Sequence, residues 1–239
     1  MANPLFSEKS FENIDYAYDP SEVMTVSSTL NKVGVLMVLL FATAGISWTA
    51  LMSGWPIAPA MIPLGFGGGF VTAIILIFKK EWANALAPTY AILEGMALGA
   101  LSAIYGGIAF LAIGLTFGVV AIMWVLFKTN ILRATQKFVA GVAAATGAVF
   151  LIYLMTWILG FFNVSVPYIH EAGLIGIGFS LVVVVIAAMN LIIDFELIEQ
   201  GAAQHAPKYM EWYAAFGLMV TIIWLYLEIL RLLSKLSKR

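Results

Sequence analysis

Apolar residues run through this chain in long stretches, and the few charges between them mark where each stretch stops. No charged residue lies between Lys32 and Lys79, and only Glu94 interrupts the interval from Glu81 to Lys128. The intervals from Lys137 to Glu171 and from Glu171 to Asp194 hold none, and Glu228 alone stands between Glu211 and Arg231. A helix needs about 20 apolar residues to cross the hydrocarbon core of a bilayer, so the longest intervals hold more than one crossing. Glycine and proline divide them, at Gly54-Trp55-Pro56, at Gly106-Gly107 and at the turn-like Asn163-Val164-Ser165-Val166-Pro167. The pattern predicts seven spans, over 33–53, 57–78, 86–105, 108–127, 138–162, 173–193 and 212–230. In the second, Pro59, Pro63 and the glycines at 65 and 67–69 predict a kinked or broken helix.

Composition supports this reading. Hydrophobic residues make up 62% of the 239 positions and charged residues 10%, against roughly 45–50% and about 25% in soluble domains. With a mean hydropathy of +0.99, the chain is expected to be an all-α polytopic membrane protein. The bilayer is its first partner. A net charge of −1 provides no basic field to hold nucleic acid. Without cysteine there is no thiolate metal site and no thiol nucleophile.

Two regions are expected. Residues 1–32 are polar and read as a short cytoplasmic tail, and 33–236 form the membrane domain. A secretory signal is not expected, because the first apolar run starts late, is too long and lacks a small-residue cleavage site. Loops on the N-terminal side carry Lys9, Lys32, Lys79, Lys80, Lys128, Arg133, Lys137 and Lys208. The opposite loops carry none before the tail with Arg231, Lys235, Lys238 and Arg239. Positive residues stay inside, so the N-terminus is expected in the cytoplasm. The basic C-terminal tail then stands on the outer side, against the rule.

Acids at membrane depth are costly and mark functional sites. Glu94 falls near the middle of the third span, with no interface within a turn, beside the small pair Gly95 and Gly99 that admits a close helix. Asp194 closes the sixth span, one turn after Asn190 and on the same face. Glu228 comes late in the seventh, three residues before Arg231. Each has a plainer reading. Glu94 could hydrogen-bond a neighbouring backbone, Asp194 could mark an emerging helix end, and Glu228 could pair with Arg231. A buried carboxyl that titrates near physiological pH suits a proton-sensitive switch. Nothing resembles a catalytic triad or a phosphate loop, so no enzyme is expected. His170 and His205 read as solvated loop residues. The basic loop of Lys128, Arg133 and Lys137 anchors topology first and binds acidic headgroups second.

The segment Ala91-Ile92-Leu93-Glu94-Gly95-Met96-Ala97-Leu98-Gly99 resembles a signature of the Bax inhibitor family of membrane proteins. So does Asn190-Leu191-Ile192-Ile193-Asp194-Phe195. Met24-Thr25-Val26, Ala87-Pro88-Thr89-Tyr90, Pro207-Lys208-Tyr209-Met210-Glu211-Trp212-Tyr213 and Trp224-Leu225-Tyr226-Leu227-Glu228-Ile229-Leu230-Arg231 are similar to a bacterial, YccA-like branch. The resemblance runs from Met24 to near the C-terminus. It implies six helices bracketing a central seventh, and a pH-sensitive calcium leak gated by two acids, one on helix six and one on helix seven. Asp194 matches the first. Laid without gaps, the second position falls on Thr221; displaced by two turns, it falls on Glu228.

Two functions follow as expectations. The first is a proton-sensitive cation leak, calcium being the favoured ion, with Glu94, Asp194, Glu228, Asn190 and Thr221 along the pathway. Asp194 and Glu228 are weak calcium ligands suited to transient contact rather than a tight cage, and no resident cofactor is expected. The second is a non-transporting membrane protein that modulates a membrane protease or a stress response through helix contacts with a partner.

Overall fold

The computed structural model describes residues 22–162 and 173–238. These form seven long helices: α1 (Val26–Met52), α2 (Met61–Phe78), α3 (Ala83–Tyr105), α4 (Gly107–Lys128), α5 (Gln136–Phe161), α6 (Leu174–Ala203) and α7 (Met210–Ser237). Each has the length and apolar composition to cross a membrane, so the chain is a multi-pass, all-helical membrane protein. The expected turn at 163–167 and His170 lie outside the described residues. α7 is the most buried of the seven, the property expected of a helix bracketed by others.

Two boundaries and the continuity of α2 depart from the sequence reading. α1 starts at Val26, ahead of the expected boundary at 33, because Thr25 caps it by accepting a hydrogen bond from the Ser28 amide. The polar residues Ser27, Ser28, Asn31 and Lys32 therefore lie inside a helix rather than in the tail. α2 is not broken by its glycines. Pro59 sits in a short 3-10 turn (Ala58–Ala60), and Pro63 falls in the first helical turn, where its missing N–H has no intrahelical partner to lose. α6 continues to Ala203, ten residues beyond the expected end, with Leu197 and Ile198 buried on its inner face. Asp194 therefore lies nine residues inside the helix, about 14 Å from its end, and does not mark the helix terminus.

The described residues gather into two compact units. In the unit formed by 22–109 and 197–220, α3 packs against α1 and α2 through small residues. A side chain at Gly95 would strike the Thr43 hydroxyl and the Leu40 carbonyl, and one at Gly99 the Ala44 carbonyl, all on α1. The Ser47 hydroxyl donates to the Met96 carbonyl at 2.6 Å across the same contact. On the α2 side, a Cβ on Gly65 would stand 2.5 Å from the Leu93 carbonyl oxygen. The expectation of a close helix at Gly95 and Gly99 is met, and α1 is that helix.

The same unit ties down the start of α1. Val23 and Pro207 form an antiparallel bridge, with the Met24 amide donating to Ala206 at 2.7 Å and the Lys208 amide to Glu22 at 2.9 Å. The Glu211 carboxylate, fully buried, accepts from the Thr25 amide at 2.9 Å and the Ser28 hydroxyl at 2.8 Å, and pairs with the Lys32 ammonium. Lys32 also sits 5.5 Å from the centre of the Trp212 ring. A carboxylate facing the positive end of α1 is favourable on dipole grounds as well.

The second unit, 110–196 with 221–238, is organised by Val149, Val183 and Ile186, against which Tyr153, Phe179 and Trp224 pack. Phe195 stands edge-on to Trp124 at 5.0 Å and near Phe127 at 5.7 Å, joining α6 to α4.

Removing one member of a buried ion pair strands the other, whereas replacing both with apolar residues is tolerated. Glu211→Ala is therefore expected to cost about 3–5 kcal/mol of unfolding free energy in micelles, and Lys32→Met with Glu211→Leu distinctly less. Chemical denaturation of the three proteins measures this. A single variant as stable as the parent would mean that the clamp contributes nothing.

Candidate ion-pathway residues

The five residues singled out by sequence divide between the two units. Glu94 belongs to the first; Asp194, Asn190, Thr221 and Glu228 belong to the second.

Glu94 is 6% exposed in the middle of α3. Its Oε1 lies against the backbone of α2, where a Cβ on Gly69 would come within 2.5 Å of it. Tyr90, one turn earlier on the same face, supplies a hydrogen bond. Tyr90 is itself held edge-on by Phe216 at 4.8 Å. Oε2 is buried and has no hydrogen-bond partner. The plainer reading, a bond to a neighbouring backbone, is replaced by one to a phenol on its own helix. The glycine at 69 provides the space the carboxyl occupies, and Gly68 opens space beside Leu93.

Asp194 is 2% exposed, between the buried Ile193 and Phe195. Asn190, one turn away, directs its amide to the Thr146 hydroxyl on α5 and to the Ile186 carbonyl, both at 2.9 Å. Thr221 on α7 is equally buried. The register of α6 against α7 follows from their contacts. The Lys235 ammonium donates to the Gly176 carbonyl at 2.9 Å and to the Ser180 hydroxyl at 2.8 Å. Trp224 packs beside Val183 and Ile186. The helices run antiparallel, and continuing their register brings Thr221 to within about one turn of Asp194. Glu228 then lies about two turns further away, level with Val183.

Glu228 is occupied elsewhere. Its Oε1 accepts from Arg231 at 2.7 Å and Trp224 at 3.3 Å, and Tyr153 donates to both oxygens at 3.0 Å. The Arg231 guanidinium lies 4.8 Å over the Tyr153 ring. The plain ion-pair reading at i,i+3 describes this residue, and the geometry does not bring it to Asp194. The ungapped position, Thr221, is the one that does approach. Among the described residues no three His, Asp or Glu side chains gather closely enough to hold a metal ion.

Three buried or half-buried charges escape the sequence reading, which puts Lys32 in the tail, Glu211 at a span boundary and Lys235 in a basic C-terminal segment. The Thr25-x-x-Ser28 cap is the available signal for the first pair, since it moves Lys32 inside the membrane helix. For Lys235, the apolar residues Leu232, Leu233 and Leu236 continue the helical pattern past Leu230.

The contact between Gly69 and Glu94 predicts strong coupling. Gly69→Ala should destabilise the parent by about 1–3 kcal/mol through overpacking, and the penalty should largely vanish in a Glu94→Ala background. Unfolding midpoints of the four proteins close the cycle, and additive effects would show that the two groups do not press on each other.

The family model described as Bax inhibitor 1 like matches residues 3–238. A comparison with curated proteins returns no match.

Proposed function

Because the chain belongs to the Bax inhibitor 1 like family, we propose that it is a pH-sensitive cation leak in a bacterial inner membrane, with calcium as the ion carried and protons as its regulator. The observation that carries this reading is Asp194, a carboxyl 2% exposed and nine residues inside α6. A group so placed is costly unless it serves a function. Thr221 stands at the depth where it can donate to an ionised Asp194 and hold the pathway shut. Protonation of Asp194 or arrival of a cation competes with that bond. Asn190, fixed to α5 through Thr146, holds the adjoining turn of α6 in place. Glu94 provides a separate titratable group in the other unit, and Glu228 serves the structure rather than the gate.

The orientation proposed is N-terminus inside. It rests on seven basic residues on the N-terminal side, Lys32 being set aside because it lies inside α1 and pairs with Glu211, and the contacts of Arg231 and Lys235 ease the objection from the C-terminal end. Arg231 and Lys235 are helical residues engaged by Glu228, Gly176 and Ser180, which leaves only Lys238 and Arg239 as tail charges on the outer side. The second reading, a non-transporting protein that modulates a protease or stress response, draws support from α4. Gly114 and Gly118, four residues apart, are exposed, and no atom lies within 4 Å of where a Cβ on either would stand. Such a surface admits a partner helix.

Calcium flux through the purified chain in liposomes, followed from pH 5 to 8, separates the two. The parent should leak in a pH-dependent way, Asp194→Asn should flatten that dependence, and Glu228→Gln should keep it. A parent that does not leak at any pH would exclude conduction and leave the partner reading.

A further inference from the structure

Between α5 and α6 of the second unit lies an open groove of about 240 Å³. Its floor is Gly141 and Ala145, whose small size hollows the face of α5, and no atom lies within 4 Å of where a Cβ on Gly141 would stand. Phe138 from α5 and Ile186 and Met189 from α6 complete an apolar wall. The one charged group among the lining residues is Lys137, in the first turn of α5, at the groove's mouth and exposed. The segment leading to it carries Lys128, Arg133 and Lys137 and contains no acid. Lys128 is laid over the Trp124 ring at 5.1 Å, so that end of the unit is both aromatic and basic, as at a membrane interface.

An occupant of this groove must be apolar along the stretch from Lys137 to Ala145, about 12 Å, and negatively charged at one end. A transmembrane helix packed on Gly141 and Ala145 would place apolar side chains in the groove and bring no fixed negative charge to Lys137. A small polar ligand would find one polar group and nothing else. We propose that the groove is a binding site for an anionic phospholipid, one acyl chain lying along Gly141 and Ala145 with the phosphate at Lys137. Moving a chain from the bilayer into an apolar groove exchanges one hydrocarbon surrounding for another, so the choice between lipids is made by headgroup charge. Each Lys or Arg near an anionic surface contributes about 1 kcal/mol, or roughly fivefold in affinity. The site stands whether or not the chain conducts ions.

Native mass spectrometry of the full chain, offered equal amounts of phosphatidylglycerol and phosphatidylcholine in detergent, reads the preference directly. The parent should retain phosphatidylglycerol severalfold over phosphatidylcholine. Lys137→Gln should reduce that ratio about fivefold, and Lys79→Gln, on a different loop, should leave it unchanged. Gly141→Leu fills the groove and should abolish retention, and helical content by circular dichroism confirms that it is folded. Equal retention of both lipids by the parent would overturn the proposal. So would an unchanged ratio in Lys137→Gln, or a Gly141→Leu protein that changes its oligomeric mass while keeping its lipid.

Discussion

A charge carried into hydrocarbon must be met by a partner inside the protein, and among the described residues five acidic or basic side chains are buried in the helices. They are Glu94, Asp194, Glu211, Glu228 and Lys235. How each is met orders much of the rest. Glu211 draws the start of α1 onto the first turn of α7 by accepting from Thr25, Ser28 and Lys32. Glu228 binds α7 to α5 through Tyr153, and Lys235 binds the end of α7 to the start of α6. Helices in a bilayer gain little from burying apolar surface against one another, so these polar ties and the close glycine contacts of α3 supply much of the specificity.

The same accounting distinguishes structural charges from functional candidates. Glu211 and Glu228 each face a cation and several donors. Glu94 keeps one carboxyl oxygen without a hydrogen-bond partner in a tightly packed interior, at a place where α2 provides a glycine to make room. Asp194 is buried near Asn190 and Thr221, and Asn190 is held by Thr146 and the Ile186 carbonyl.

Much of this is legible in the chain. Seven spans follow from the distribution of charges together with the glycine and proline breaks, and the close approach at Gly95 and Gly99 from their spacing. Asp194, Glu94 and Glu228 stand out as acids in apolar runs. The misplaced boundaries share one cause: hydropathy marks where apolar residues stop, not where helices stop. Thr25 starts α1 within polar sequence, and α6 carries Glu196 and Glu199 past the apparent end, which leaves Asp194 nine residues before the end of its helix. Pairings between distant segments, such as Lys32 with Glu211 or Tyr153 with Glu228, have no signature in sequence spacing, because they depend on which helices pack together.

The proposed cation pathway depends on the partner of Asp194 across α6 and α7. The chain contains no cysteine, so introduced thiols can be read without background. Asp194→Cys combined with Thr221→Cys should be bridged in membranes by the shortest bis-thiol reagents, and Asp194→Cys combined with Glu228→Cys should not. Efficient bridging of 194 to 228, with none of 194 to 221, would contradict the register and restore Glu228 as the second acid of the gate.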